Sequence, residues 1–260
     1  MVELYDELNN VGISFLRGGI DESLINELCE SLNNSITKHR GIQIKNNNDI
    51  DIGGVALNVV GDSPTYIKLL ERLISLGIIS GMEKHFFKSK FILNSFSGLN
   101  NLPGKTNFSG EVHRDSKYFM KGDPLMLNIL VMLDDFTEEN GPTLLLPNSH
   151  KVVEKPSDEE FLTKSIKAIG KKGDILFFNA DIWHSSSLNN TNEDRRALPL
   201  TFSKSFIKQL LDYPRYLGYD RKDEFSDELC GLLGYNSRVA SNLDEWYLPY
   251  EDRFYKKNQD

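Results

Sequence analysis

The chain has 260 residues, of which 39% are hydrophobic and 26% are charged, and it carries a net charge of −8 at pH 7. These proportions are typical of a folded globular protein. The acidic balance argues against a nucleic-acid scaffold, because such proteins usually present a basic face to the phosphate backbone.

The cysteine content and the amino-terminal residues argue against further classes of protein. Cys29 and Cys230 are the only two cysteines, and they are far apart in the sequence. A disulfide framework and a zinc–thiolate site are therefore not expected. The acidic start lacks the basic and apolar segments of a leader, and no apolar run reaches the roughly 18 residues of a membrane helix. We expect a cytoplasmic protein with neither a membrane nor a nucleic acid as partner.

The first third of the chain alternates one strand with two helices. Apolar residues predict a short strand over 11–16, and Asp21 is placed to cap a helix over 22–37. A second helix is predicted over 66–76, where apolar residues again recur at helical spacing. Residues 41–64 are rich in Asn, Asp and Gly, which predicts loops around a short apolar strand.

The remainder predicts short strands separated by turns, with Ser157 starting a short surface helix. Residues 98–110 are predicted as turns, and 207–260 as helical or irregular packing. This pattern favours a mainly β fold with flanking helices, of the sandwich or jelly-roll type. The predicted strands are 91–96, 111–115, 125–133, 143–146, 175–178 and 195–206.

We find no internal repeat and no linker, so the simplest prediction is one domain over 1–260. Its parts are a helical region over about 20–90, a jelly-roll core over about 91–206 and a carboxy-terminal extension over 207–260.

The segment Glu111-Val112-His113-Arg114-Asp115 carries the most informative pattern. Side chains alternate along an extended chain, so His113 and Asp115 are predicted to share a face that Arg114 does not. An imidazole and a carboxylate in this relation can bind a divalent metal together, and His184 at a later strand end would add a third ligand. Two histidines and one carboxylate with open positions opposite are typical of non-haem iron(II) oxygenases.

Two arginines follow the second histidine, at Arg195 and Arg196. A guanidinium binds a carboxylate through two parallel hydrogen bonds, a geometry that lysine does not match. The cosubstrate 2-oxoglutarate chelates iron through its keto-acid end and leaves a distal carboxylate that needs a buried cation. An arginine shortly beyond the triad is therefore a candidate for that role.

Several segments together resemble the phytanoyl-CoA dioxygenase (PhyH-like) family of iron(II)- and 2-oxoglutarate-dependent oxygenases. Val112-His113-Arg114-Asp115 is similar to the metal-binding strand of the family. The run from Leu133 to Pro142, continuing to Pro147-Asn148-Ser149-His150-Lys151, is similar to its most recognisable segment. The run from Lys172 through His184 to Leu198 resembles its distal histidine and arginine. The resemblance implies a double-stranded β-helix, a cupin-like jelly roll.

The resemblance also implies roles for single residues. His113, Asp115 and His184 would be the catalytic iron ligands, and Arg195, eleven residues after His184, would bind the distal carboxylate of 2-oxoglutarate. Arg196 is the fallback for that role. Two further polar residues, Asn128 and Thr143, would either contact 2-oxoglutarate or satisfy backbone groups.

The implied activity uses Fe(II), 2-oxoglutarate and O2 to hydroxylate an unactivated C–H bond of a small molecule, with release of succinate and CO2. The predicted pocket mouth consists of 41–60, 98–111 and 116–124 with part of the tail. Its residues favour an anionic or partly aromatic substrate, although a solvated loop explains the lysines equally well. These residues are Lys105, Lys117, Tyr118, Phe119 and Lys121. The substrate itself and the oligomeric state stay open.

Two other functions remain open at this point. One is a non-catalytic jelly-roll module that keeps the triad as a structural metal site. The other is a zinc hydrolase that uses the same ligands to activate water. Neither gives Arg195 a role.

Overall fold

The computed structural model describes residues 1–48, 54–105 and 110–253. Helices occupy the amino-terminal third and the tail, and strands lie mainly between them. The helices are α1 Val2–Val11, α2 Glu22–Lys45, α3 Pro64–Ser75, α4 Ile78–Gly81, α5 Asp158–Lys164, α6 Tyr213–Leu217, α7 Asp227–Leu233 and α8 Leu243–Trp246. The strands are β1 Ile13–Leu16, β2 Val55–Ala56, β3 Phe91–Phe96, β4 Gly98–Asn101, β5 Met126–Met132, β6 Thr143–Leu145, β7 Ile166–Lys167, β8 Ile175–Asn179, β9 His184–Ser186 and β10 Arg195–Lys204.

Side-chain caps fix the starts of the predicted helices. The Asp21 carboxylate accepts a hydrogen bond from Leu24 N at 3.0 Å and begins α2 as predicted. Ser157 in the same way accepts from Glu160 N at the start of α5. Such a cap satisfies an amide that has no partner within the helix. The predicted end of α2 at residue 37 is too early, because the helix continues through Gly41 to Lys45.

Seven strands form the larger sheet, in the order β1-β8-β5-β10-β4-β2, with β3 also paired to β10. Every pairing in it is antiparallel. The smaller sheet has the order β7-β6-β9 and is also antiparallel. The protein is thus a mixed helix–sheet structure with two antiparallel sheets.

The alternation of side chains along β5 shows what each face of the larger sheet contacts. Leu127, Ile129 and Val131 belong to the core shared with the helices. Leu130 and Met132 point the other way and pack in a cluster that includes Leu145 of the smaller sheet. The helices therefore cover one face, and the smaller sheet lies against the other.

Other local predictions also differ from the structure. Helix α1 was not predicted, although its buried side chains Leu4, Tyr5 and Leu8 stand at helical spacing. Residues 98–101 form strand β4 and are not turns, although Gly98 and two asparagines are poor strand formers. Residues 111–115 do not form a regular strand, since His113 makes only an isolated bridge to His184.

The tail packs through short helices, as predicted. Leu229, Leu232 and Leu233 of α7 are buried in the core on the helical side of the larger sheet. In the described part of the chain, no helix has both the length and the apolar character needed to cross a bilayer.

Candidate metal and cosubstrate site

Three predicted ligands come together between the two sheets. His113 Nε2 lies 3.6 Å from Asp115 Oδ1, and His184 Nε2 lies 3.5 Å from Asp115 Oδ2. One ligand atom from each of the three residues lies within 4.8 Å of the others. These separations allow one ion to contact all three atoms.

Backbone pairing brings the two histidines together. His113 N donates to His184 O at 2.9 Å, and His184 N donates to His113 O at 3.0 Å. Asp115 N then donates to Ala180 O at 3.2 Å, which holds the carboxylate on the same side. A single bridge with one further bond therefore replaces the predicted strand. Arg114 points away as predicted, and its guanidinium donates to the carbonyl of Ser149 at 2.7 Å.

Both imidazoles are oriented by a carbonyl of the residue two positions before them. His113 Nδ1 lies 2.7 Å from Glu111 O, and His184 Nδ1 lies 2.9 Å from Ile182 O. A carbonyl only accepts, so each Nδ1 carries a proton, and in the neutral form of the ring Nε2 keeps its lone pair. Metal-binding histidines commonly donate their other N–H in this way, which makes the pair suited to a metal ion.

The charges at the triad favour an ionised Asp115 and a neutral His184. The pKa of His113 is raised, chiefly by its hydrogen bond to Asp115, and burial lowers the pKa of His184. Burial alone would raise the pKa of Asp115, but the two histidines and Asn128 outweigh it and hold the pKa below its usual value. An ionised carboxylate thus faces a neutral, buried imidazole.

Asn128 lies on β5 and contacts the triad carboxylate. Its Nδ2 donates to Asp115 Oδ2 at 2.6 Å, and its Oδ1 accepts from Thr201 Oγ1 at 2.8 Å. Both ends of the amide therefore have partners within the protein. This arrangement fixes Asp115 from the larger sheet.

The two neighbouring arginines have opposite surroundings. Arg196 forms a two-pronged ion pair with Asp134, at 2.9 Å through Nε and 2.8 Å through a terminal nitrogen. Arg195 is 1% exposed, its Nε has no hydrogen-bond partner, and no described carboxylate pairs with it. It donates to Gly141 O at 2.6 Å and lies over the Phe136 ring at 4.2 Å. Burial lowers the pKa of Arg195 to about 10, so it remains charged at neutral pH.

The smaller sheet contributes Thr143 and one residue that the sequence analysis missed. Ser186 lies two positions after His184 on β9 and is paired directly with Thr143 on β6. Its Oγ is buried and has no hydrogen-bond partner. Both residues and Arg195 line one cavity. The alternation that linked His113 to Asp115 would also have linked Ser186 to His184.

The triad opens into a cavity of about 970 Å³. The described residues around it include three of the five predicted for the mouth, Lys117, Tyr118 and Phe119, while Lys105 and Lys121 lie outside its lining. The predicted mouth segments 41–60 and 98–111 contain 49–53 and 106–109, which fall outside the described residues. Leu57 and Leu99, from the described parts of these segments, do line the cavity.

A family model gives the first comparison with known proteins. The model described as phytanoyl-CoA dioxygenase (PhyH) matches residues 82–197. This range includes the triad, Asn128, Thr143 and Arg195.

Curated relatives extend the similarity. The uncharacterized protein Rv1501 of Mycobacterium tuberculosis is 32% identical over 198 residues, which cover 75% of this chain and 69% of the relative. Dioxygenase FUM3 of Gibberella moniliformis is 33% identical over 135 residues, covering 51% of this chain and 44% of the relative. Dioxygenase andF of Emericella variicolor is 28% identical over 145 residues, covering 52% and 50%. The chain therefore spans half the length or less of these two fungal dioxygenases.

Among solved structures, the fold is similar to that of the non-heme alpha-ketoglutarate-dependent epimerase SnoN from nogalamycin biosynthesis. The TM-score is 0.56 at 19% identity, covering 78% of this chain and 82% of that one. Family model, relatives and fold agree, and the chain belongs to the phytanoyl-CoA dioxygenase family, a family of oxygenases.

Proposed function

We propose that the protein is a non-haem Fe(II)- and 2-oxoglutarate-dependent dioxygenase that hydroxylates an unactivated C–H bond of a small molecule. The observation that carries this proposal is the triad of His113, Asp115 and His184 in one cavity with Arg195, a buried cation that has no carboxylate partner among the described residues. Relatives named as dioxygenases and the similarity in fold to an alpha-ketoglutarate-dependent enzyme support it.

The donor set fits iron(II). His113 and His184 each place Nε2 close to Asp115, and a backbone carbonyl accepts from the opposite nitrogen, so that Nε2 of the neutral ring can bind a metal ion. Two imidazoles and one carboxylate leave half of an octahedron open for other ligands. Bound iron with 2-oxoglutarate and O2 would supply the oxidation, in which 2-oxoglutarate is converted to succinate and CO2 and one oxygen atom enters the substrate.

The protein's own residues would orient the metal ligands. Asn128 holds Asp115 through its amide, and Thr201 fixes that amide by donating to its oxygen. Phe178 packs edge-on against the His184 ring, with ring centroids 5.0 Å apart. Support of this kind limits the rotation of each ligand, so that the ion meets an arranged site.

Arg195 would bind the distal carboxylate of 2-oxoglutarate, with Thr143 and Ser186 as hydroxyl donors beside it. Nε of Arg195 and Oγ of Ser186 are buried donors without hydrogen-bond partners in the protein, and leaving such groups unsatisfied is costly. A carboxylate would accept from both. Arg196 is not available to bind 2-oxoglutarate, because its guanidinium already donates two hydrogen bonds to Asp134.

We extend the proposal to the fold. The two facing antiparallel sheets would be the two halves of a double-stranded β-helix, with the metal site between them. A single domain over 1–260 would carry this core, with the helices on the outer face of the larger sheet.

Reconstitution without oxygen tests the activity. Iron(II) with 2-oxoglutarate should give a weak visible charge-transfer band, and admission of air should produce succinate. His113→Ala or Asp115→Ala should reduce succinate formation at least a hundredfold, because each removes one of three protein ligands. A matched change at a histidine outside the cavity, His39→Ala, should have no such effect.

Two results would contradict the proposal. Iron binding without the band or succinate would favour the non-catalytic metal module. Zinc-dependent hydrolysis that is insensitive to 2-oxoglutarate and to the loss of Arg195 would favour the hydrolase.

A further inference from the structure

The cavity is larger and more apolar than a metal ion and 2-oxoglutarate require. Its volume of about 970 Å³ is near the upper end of the roughly 300–1,000 Å³ typical of small-molecule sites. Away from the triad, aliphatic side chains form much of its walls. The residues that form these walls include Leu57, Leu99, Leu125, Met126, Pro199 and Leu210.

Large apolar side chains also extend to solvent around the cavity. Tyr118, Phe206 and Leu210 line it and are 78%, 76% and 73% exposed. Exposed apolar groups that adjoin a cavity commonly mark a binding surface. The apolar part of a ligand would therefore be expected to extend from the interior to the rim.

The charges around the cavity have the opposite sign to the protein as a whole. The chain has 38 acidic and 30 basic residues. Yet Asp115, the triad carboxylate, is the only acidic residue among the described residues that line the cavity. Lys117 and Lys208 line it as well, and neither forms an ion pair with a described carboxylate. Lys204, four positions before Lys208, shows the usual alternative, since it pairs with Asp123 at 2.5 Å.

The backbone around Lys208 is held in place. Asn94 Nδ2 donates to Lys208 O at 3.0 Å, and Leu210 N donates to Asn94 O at 3.2 Å. Gln209 Nε2 donates to Leu93 O at 2.7 Å. Residues 208–210 are thereby fixed along β3, so the base of the Lys208 side chain has a defined position at the cavity.

We propose that the substrate is a bulky, largely apolar molecule with a single anionic group, and that Lys208 and Lys117 bind the anion while the aliphatic walls bind the body. This inference rests on the proposed function, because it assigns the rest of the same cavity to the molecule that is oxidised. Arg195, the third cation of the cavity, is reserved for 2-oxoglutarate.

Two fluorescent probes with the same ring system test the inference. 8-Anilinonaphthalene-1-sulfonate carries one sulfonate, whereas N-phenyl-1-naphthylamine has the same rings without charge. Binding is measured on the full chain with excess iron(II) and 2-oxoglutarate in the absence of oxygen, so that the sulfonate does not compete for Arg195. Both probes should saturate one site, and the sulfonate should bind more tightly.

Substitutions then separate the two parts of the site. Lys117→Glu with Lys208→Glu should weaken the sulfonate at least tenfold and change the neutral probe less than twofold. Phe206→Ala removes an exposed apolar side chain and should weaken both probes. Lys155→Glu makes the same charge change outside the cavity and should alter neither.

The inference is overturned if the double lysine variant binds the sulfonate as tightly as the unmodified protein does. It is also overturned if both probes weaken equally in that variant while its circular dichroism and melting temperature are unchanged. Succinate formation by the unmodified protein reports separately on the proposed function. Selective probe binding without succinate formation would contradict the proposed oxygenase activity and support the apolar, cationic binding site. Succinate formation without selective probe binding would support the activity and contradict the proposed substrate class.

Discussion

Arg195 and Arg196 are adjacent in the chain and differ in almost every physical respect. Strand alternation directs Arg195 into the cavity and Arg196 to Asp134. The residue pattern alone did not choose between them, because either of two neighbouring arginines on a predicted strand could face inward, and the resemblance to the family favoured Arg195. The neighbours of each side chain distinguish the two arginines. Arg195 contacts a phenylalanine ring and a backbone carbonyl, whereas Arg196 is paired with a carboxylate.

We predict that Arg195→Ala raises the 2-oxoglutarate concentration needed for half-maximal succinate formation by roughly ten- to a hundredfold. The reason is that a hydrogen bond to a charged group contributes about 1.5–3 kcal/mol. Arg196→Ala is the matched control and should leave this concentration within about threefold while lowering the melting temperature slightly, since its partly exposed ion pair contributes at most about 1 kcal/mol. The reverse ranking would transfer the role to Arg196.

Asn128 gives a second prediction, on metal affinity. Asn128→Leu removes the amide that bonds Asp115 and leaves a carboxylate oxygen without its partner. Loss of such a support commonly costs about 10–100-fold in metal affinity. Cobalt(II) titration followed by visible absorbance measures the change. Thr201→Val, which removes only the donor behind Asn128, should have a smaller effect in the same direction. Unchanged affinity in Asn128→Leu would show that Asp115 needs no support.

At the scale of single elements, the cap of α2 offers a direct test. Asp21→Ala removes the acceptor for Leu24 N and should lower the free energy of unfolding by about 1 kcal/mol. Asp21→Asn keeps an acceptor oxygen and should retain most of the stability. Urea unfolding followed by circular dichroism measures both. Equal losses in the two variants would mean that the charge, and not the cap, stabilises the helix.

Sequence patterns predicted elements well where an apolar period was long and its ends carried caps. Helix α3 begins after Ser63 with Pro64 in its first turn and ends before Gly77, whose φ of 71° is in the left-handed region. Strand β3 was predicted with its observed bounds, 91–96. Strand β4 was missed because its pairing with β10 and β2, rather than its own composition, makes it a strand.

The segment that carries His113 shows another limit of prediction from sequence patterns. Alternation correctly placed His113 and Asp115 on one side and Arg114 on the other, but the segment is irregular. Its extended form depends on bonds to the distant residues His184 and Ala180. A pattern within five residues cannot contain that information.

At the scale of the whole molecule, Asp174 joins the ends of the paired strands β1 and β8, which are far apart in the sequence, and it predicts a pH dependence. Its carboxylate pairs with Arg17 at 2.8 Å and accepts from Gly18 N and Lys171 N at 2.8 and 2.9 Å. Burial alone would raise the pKa of Asp174, but these donors outweigh it and lower the pKa. A group whose pKa is lower in the folded state stabilises the fold above its unfolded pKa of about 3.9. That contribution is lost as the pH falls through the folded value.

Asp174→Asn should therefore destabilise the protein at pH 7 by about 1.5–3 kcal/mol, the range for hydrogen bonds to a charged group. The difference between the two proteins should shrink as the pH is lowered below about 4. Urea unfolding at a series of pH values measures it. A difference that stays constant with pH would show that the shape of the side chain, and not its charge, stabilises the sheet.

The bridge between His113 and His184 has a consequence for how the chain unfolds. Each histidine comes from a different part of the chain, and between them lie β5, β6, β7 and β8. An ion held by both would act as a clasp that closes this long loop, and breaking it would release all four strands together. Closing a long loop removes much of the freedom of the unfolded chain. Bound metal should thus slow local opening of the strands within the clasp more than that of α7 in the tail, a contrast that hydrogen exchange can resolve.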